Sequence, residues 1–334
     1  MGQIGRGHSP FSAELSEVLI TVADLGEFGL IAAIEELLPP GDTLPVGPGD
    51  DAAVIPAPDG RVVATTDLLI EGRHFRRDWS GPADVGVKAA AQNLADVAAM
   101  GAMPRAVLVG LACPGETPAS WVLEMIRGMV AECGRAGASI AGGDVTAADT
   151  IMLGITALGD LAGRPPVRRS GAQPGDVVAV AGRIGWSAAG LASLQAGLGA
   201  SEQLAGVVSA HRRPQPPYPA GPAAAVAGAT AMIDVSDGLL ADLGHIAAAS
   251  GVCIDVQLAL LPVDEQVTAA AGVLGAQWPE WALAGGEDHA LAATFPAVAA
   301  VPSPWRAIGT VRSGRGVLVD GHAWNGRRGW DHFR

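Results

Sequence analysis

Aspartate recurs beside glycine or threonine in five short, turn-like words: Gly49-Asp50-Asp51, Thr65-Thr66-Asp67, Gly142-Gly143-Asp144, Asp234-Val235-Ser236-Asp237-Gly238 and Gly285-Gly286-Glu287-Asp288. Aspartate is small, hard and anionic. Set on tight turns from several parts of a fold, it builds a many-oxygen cage suited to magnesium. Two bare carboxylates about 4 Å apart repel by ~4 kcal/mol at an effective dielectric of 20. A fold that gathers these words therefore needs divalent cations, and a cage with spare coordination positions holds phosphate.

The 334 residues suffice for one large domain or two ordinary ones, and 46 glycines with 24 prolines make the chain turn-rich. A formal charge of -13 makes nucleic acid and anionic membranes poor partners. ATP stays admissible, provided metals stand between the carboxylates and the phosphates. Lysine occurs once, as Lys88, and Ala89 follows it, so the Gly-x-x-x-x-Gly-Lys-Ser/Thr phosphate loop is excluded. Phosphate handling then falls to metals, arginine and backbone amides. Cys113, Cys133 and Cys253 are far apart, without C-x-x-C spacing, and read as reduced core residues. Neither a signal peptide nor a membrane span is visible, so the expected compartment is the cytoplasm.

Hydrophobic periodicity predicts helices over 27–38, 82–100, 118–137, 187–198, 201–211, 219–228 and 239–250. Strands are expected at 52–55, 61–66, 105–111, 138–141, 150–158, 176–181, 230–233, 252–256, 289–295, 305–311 and 317–319. The Gly-, Pro- and Arg-rich stretch 163–174 is the expected boundary. Residues 1–25 then form an extension, 26–162 an N-terminal α/β domain that binds ATP and magnesium, and 163–334 a C-terminal α/β domain that completes the site. The fold class is α/β (α+β) in two domains.

Each aspartate word has a plain alternative. Asp50-Asp51 precedes a strand and can be a turn, although a second like charge makes more sense beside a cation. Asp67 ends a strand, and Thr65 shares its face; the pair can bind an ion or cap the strand. Asp96 sits in an Ala-rich helix with Asn93 three residues before it, so metal and salt bridge are both open. Diglycine before Asp144 lets a backbone approach a ligand closely. Asp234, Ser236 and Asp237 exceed what a helix cap needs, and the spacing is not that of an EF-hand, because His245 stands at position 12. Glu287, behind Gly285-Gly286, fits a polar ligand group or a turn. His74 alone would read as structural. Arg76-Arg77 and Arg212-Arg213 read as solvated surface.

The words GDDAAV, TTDLLIEGRHF, KAAAQNLADVAAMGAMP, AGGDVT, RRSGAQPGD, IDVSDGL and LAGGEDHAL occur in one order along the chain. From Gly26 to the C-terminus this order resembles the thiamine-monophosphate kinase family. That family shares a superfamily with aminoimidazole ribonucleotide synthetase, selenophosphate synthetase and a hydrogenase maturation protein. The resemblance implies a synthetase-like fold in which the N-terminal sheet joins that of a partner chain in a dimeric β-barrel, hence a homodimer. It implies ATP- and magnesium-dependent phosphorylation of thiamine monophosphate to thiamine diphosphate. Implied metal ligands are Asp51, Thr66, Asp67, Asp96, Asp144, Asp234 and Asp237. Implied ATP contacts are Thr65, Gly143, Asp144, Arg169 and Ser236, and implied thiamine phosphate contacts are His74, Glu287 and Trp330. Electrostatic stabilisation would come from Asp51, Asp237 and Arg169, with no side chain as general acid or base.

Three other readings compete. Selenophosphate synthetase carries a reactive Cys or selenocysteine near its N-terminus, whereas the first cysteine here is Cys113. A dinucleotide-binding dehydrogenase would need G-x-G-x-x-G, and Gly182, Gly185 and Gly190 are spaced otherwise. A non-catalytic acidic module leaves the spread of aspartates over both halves unexplained.

Overall fold

A computed structural model describes residues 20–39, 44–45, 52–297 and 301–330. Asp50 and Asp51 lie outside them. So do residues 1–19 of the expected extension; residues 20–25 supply the cap and first turn of a helix. That helix, α1 (Val22–Glu35), starts at Thr21 in a capping box with Asp24 and is broken at Gly26, φ 68°.

The first half is a four-stranded sheet under two helices. Strands β1 (Val63–Ile70), β2 (Met103–Cys113), β3 (Ser139–Ala147) and β4 (Met152–Asp160) lie in the order β1-β4-β2-β3. Their alternation is legible in β4, where Leu153, Ile155 and Ala157 are buried and their neighbours are not. The buried face meets α2 (Pro82–Ala99) and α3 (Ala119–Ala136). Pro82 opens α2 at the one position where a missing N–H costs nothing. Where the two helices cross, a Cβ on Gly86 would fall 1.9 Å from the Met125 carbonyl oxygen, and one on Gly128 2.2 Å from that of Ala83. Glycine there lets the backbones touch.

The second half is a six-stranded sheet in the order β10-β7-β9-β5-β8-β6. Its strands are β5 (Val177–Ala181), β6 (Ala231–Val235), β7 (Cys253–Val256), β8 (Ala290–Phe295), β9 (Arg306–Arg312) and β10 (Gly316–Val319). The helices are α4 (Trp186–Gln195), α5 (Ala205–Arg212), α6 (Ala220–Val226), α7 (Leu239–Ser250), α8 (Glu265–Leu274) and α9 (Trp278–Ala284). Strands β6 and β8 are buried on both faces. Met232, Leu291 and Phe295 face the core that contains α2, while Ile233, Val235 and Ala292 face the core around α7.

Helix α2 is thus shared by both sheets. Its small apolar residues, Ala89, Ala90, Ala91, Ala95 and Ala98 among them, are buried all round, as expected of a helix with no solvent face. The halves are also tied by Tyr218 Oη, which donates to Glu132 at 2.5 Å, and by an ion pair of Arg213 with Asp84. No described helix is long and apolar enough to cross a membrane.

Several elements differ from expectation. β1 runs on to Ile70, so Asp67 lies within a strand rather than at its end. β3 runs through Gly142-Gly143-Asp144, which is strand and not turn. Of residues 52–55, Val54 alone forms a β-bridge, and no strand is formed there among the described residues. Helices α8 and α9 were not anticipated.

Candidate active site

The Thr65-Thr66-Asp67 word lies on β1 opposite α2, and the strand's alternation divides it. Thr65 Oγ1 donates to Asp96 Oδ2 of α2 at 2.8 Å. The Asp67 N–H donates to Asn93 Oδ1 at 3.0 Å, and Gln92 Nε2 to Asp67 Oδ2 at 3.4 Å. Thr66 lies on the other face, its hydroxyl donating to the Ile155 carbonyl at 3.0 Å. Only its main chain accompanies the carboxylates.

Asp234 reaches the same place from the end of β6. It is buried and paired with His289 Nδ1 at 3.4 Å. Burial, then the charges of Asp234 and Asp67, push the Asp96 carboxyl up to about 7. Asp67 is raised as well, by burial and by Asp234 against opposing pulls from His289, Gln92 and His74. Those shifts are the electrostatic record of acidic groups crowded together. Thr65, Asp96, Asp234 and Arg169 line one cleft of about 190 Å³, with Val63, Ala64, Ala99, Met100, Met232 and Ile233 as its apolar wall.

Beyond β6 the chain turns through Ser236 and Asp237. Sequence reasoning put Asp237 at the cap of α7; the cap is Gly238, φ 127°. The side chain of Asp242 accepts from the Asp237 and Gly238 N–H groups at 3.1 and 3.0 Å. Burial, with Asp234 and Asp237 near, pushes Asp242 up to about 8. Asp242 and His289 were not singled out: His289 stands in the LAGGEDHAL word, next to Glu287-Asp288, whereas Asp242 lies five residues after Asp237, beyond the word that ends at Gly238.

The Gly-Gly-Glu-Asp turn closes the site from above. The Glu287 N–H donates to the Ser236 carbonyl at 2.7 Å, the His289 N–H to that of Val235 at 2.9 Å, and the Trp330 N–H to that of Asp237 at 2.9 Å. A Cβ on Gly286 would fall 2.5 Å from the Ser236 carbonyl oxygen, so this contact requires glycine. Glu287 and His289 hold φ of 62° and 50°, conformations that cost non-glycine residues and cluster at working sites. Asp288 turns away from the cleft and accepts the Gly185 and Ser187 N–H groups at the start of α4. His74, in the turn four residues beyond the end of β1, accepts the Ile70 N–H on Nδ1 at 3.1 Å.

Gly143 and Asp144 are exposed on β3, at the opposite edge of the sheet from β1. Among the described residues Asp144 makes no hydrogen bond to the other acidic groups. No three described His, Cys, Asp or Glu side chains are arranged to hold a metal ion. The cage expected from the sequence is therefore not closed by these residues. Magnesium, however, is usually held by one or two carboxylates together with substrate phosphates, and paired, mutually repelling carboxylates beside an arginine are a donor set of that kind.

Residues 49–161 match the model for the AIR synthase related protein N-terminal domain, and 173–319 that for its C-terminal domain. The thiamine-monophosphate kinase of Mycobacterium tuberculosis is 52% identical over 316 residues, 94% of this chain and 93% of that protein. The chain belongs to the thiamine-monophosphate kinase family. The Corynebacterium glutamicum thiamine-monophosphate kinase is 43% identical over 321 residues, 94% of this chain and 95% of its own length. Among solved structures, AaThiL complexed with AMPPCP and TMP superposes with a TM-score of 0.76 at 33% identity, covering 93% of this chain and 98% of that one. In this chain the acidic words are spread over both AIR synthase related domains, and α2 with the turn 285–289 brings those on β1 and β6 together.

Proposed function

We propose that this chain is an ATP- and magnesium-dependent kinase that phosphorylates thiamine monophosphate to thiamine diphosphate, the last step in making that compound. The observation that carries the reading is the meeting of Thr65, Asp96, Asp234 and Arg169 at one cleft, in a chain akin to a kinase solved with AMPPCP and TMP. The division at 1–25, 26–162 and 163–334 belongs to the same proposal.

The acceptor is already an anionic phosphate oxygen, so the site needs no general base. Phosphoryl transfer asks for alignment and charge neutralisation. In the proposed step the acceptor oxygen bonds to the γ-phosphorus as the bond from that phosphorus to the β,γ-bridging oxygen breaks, and ADP leaves with the electron pair. Asp51, Asp67, Asp96, Asp144, Asp234 and Asp237, with Thr66, would hold the magnesium ions. Bound there, magnesium would cancel the repulsion between the two phosphates. Arg169 would clamp phosphate through its planar guanidinium. Thr65, Gly143 and Ser236 would meet ATP. Glu287, His74 and Trp330 would hold thiamine monophosphate by charge pairing, hydrogen bonding and cation–π contact.

A homodimer completes this reading. β1 and β3 are three strand spacings apart, about 14 Å, too far for Asp144 to join Asp67 within one sheet. On the sheet face away from the helices, Leu68 is 53% and Leu108 37% exposed. A second copy whose sheet continues this one would cover that face and bring its own Gly143-Asp144 beside β1.

The deciding experiment is a coupled assay of the purified chain with ATP, magnesium and thiamine monophosphate, beside Asp237→Asn. Wild-type turnover that needs all three, and its loss in the variant, is the expected result. No turnover by the folded wild type would end the reading, and capture of a phosphorylated side chain would end direct transfer.

A further inference from the structure

Lys88, the single lysine of the chain, is buried in α2 at 2% exposure. Its ammonium donates to Glu287 Oε2 at 3.2 Å and to the His74 carbonyl oxygen at 3.5 Å. These are two of the three residues assigned above to thiamine monophosphate, one from each half of the molecule. A buried ammonium is costly unless paired and hydrogen-bonded. Placing the lone lysine between them therefore ties its role to those partners.

The arrangement at Glu287 is asymmetric. Both of its basic neighbours lie on Oε2: the Lys88 ammonium at 3.2 Å, and the His211 imidazole, with Nδ1 at 3.6 Å. Oε1 takes no hydrogen bond from any described residue, and 34% of the side chain is exposed. One oxygen is anchored and the other is open to a ligand. Burial favours protonation, but the charge of Lys88, with His211 and His289, outweighs it and holds the carboxyl at about 2. Glu287 is therefore an anion before any substrate arrives.

We infer that Lys88 is a positioning residue for the acceptor substrate, fixing the Glu287 carboxylate and the His74 carbonyl across the two halves so that Glu287 Oε1 faces the cationic thiamine group. The inference rests on the proposed reading of Glu287 and His74 as contacts of thiamine monophosphate. Lys88 acts through Glu287 and does not itself touch the substrate. Its loss would leave the carboxylate free to swing, weakening acceptor binding while sparing the ATP cleft, which Lys88 does not line.

The test is a double-mutant cycle on the full chain with Lys88→Met, Glu287→Gln and the pair, read by kinetics. Calorimetric binding of thiamine monophosphate, in the presence of a non-hydrolysable ATP analogue, is a second readout. Lys88→Met is expected to raise the KM for thiamine monophosphate about tenfold, with kcat and the KM for ATP within about twofold. In the Glu287→Gln background the same change is expected to add less than about twofold, because the two residues act as a unit. Lys88→Arg, which keeps the charge, should recover part of the loss. Additive effects would overturn the inference and favour a direct grip of Lys88 on the substrate. An unchanged KM in Lys88→Met beside a raised KM in Glu287→Gln would overturn it too. If Glu287→Gln itself leaves the KM unchanged, the assignment of Glu287 falls and the inference falls with it. Should Lys88→Met fail to fold, Lys88→Gln, which also removes the charge, is put through the same cycle and judged by the same criteria.

Discussion

At the scale of single residues, the ligand-free site is held together against its own charge. Burial, then Asp234 and Asp67, raise the Asp96 carboxyl to about 7, so stability falls as the pH rises from the ordinary carboxylate range towards 7, and that loss is complete at pH 8. Asp96→Asn removes the charge and keeps the shape. Without ligands at pH 8 it should raise the melting midpoint, by ~1 kcal/mol of stability. Its kinase activity should fall by about 100-fold or more, and calorimetry should show that magnesium with ATP stabilises it less than wild type. His211 acts in the opposite sense. Burial, then the charge of Lys88, push its imidazole from 6.5 down to about 3. The unfolded chain takes up a proton near 6.5 that the folded chain refuses, so stability is complete above that pH and falls as acid is added. His211→Gln, which can still bond to Ser187, should flatten that loss. Urea midpoints measured across the acid range would show it, and an unchanged slope would contradict it.

Helix α2 and its crossing with α3 dominate at the scale of elements. Gly86→Ala drives a Cβ to 1.9 Å from the Met125 carbonyl oxygen, and the helices must part. A loss of ~1–3 kcal/mol follows, together with lower activity, because α2 carries Asp96, Asn93 and Gln92. Gly134→Ala is the control within α3, since a Cβ there meets nothing within 4 Å. It should stabilise by ~0.5–1 kcal/mol. Equal effects of the two changes in a thermal melt would refute the close crossing. The first turn and stop of α2 were legible from Pro82 and Gly101. α8 has its own signals, an Asp264 cap accepting the Gln266 N–H at 2.9 Å and Gly275 at φ 62°. Its apolar stripe, Val267, Ala270 and Ala271, is short, so the periodic signal there is weak. In α9, Pro279 sits in the first turn, where proline is tolerated.

The whole molecule raises the question of Asp144, alone on β3 while its companions gather at β1 and α2. If a second copy supplies it, each site combines Asp234 of one protomer with Asp144 of the other. Asp144→Asn and Asp234→Asn homodimers should then both be inactive. Random mixing of the two after mild dissociation should restore about a quarter of wild-type activity, because half the dimers are hybrid and each hybrid has one intact site. A mixture as inactive as its parents would place the whole site in one chain. Sedimentation should find a dimer, and Leu68→Arg on the exposed sheet face should shift it towards monomer.

The chain's own order of residues determined the two α/β halves, most strand and helix positions, and the acidic words themselves. These are local matters: turn chemistry, side-chain period and cap residues act within a few positions of one another. What only the tertiary structure decided was which groups meet. The alternation of β1 could be read, and it joined Thr65 with Asp67, but that α2 would face it and lie against the second sheet could not. Asp234 paired with His289, Lys88 seated between His74 and Glu287, and Asp144 left at a distant edge all depend on contacts many residues apart. Burial and charge select those contacts jointly as the whole chain packs, so no short stretch of sequence encodes them.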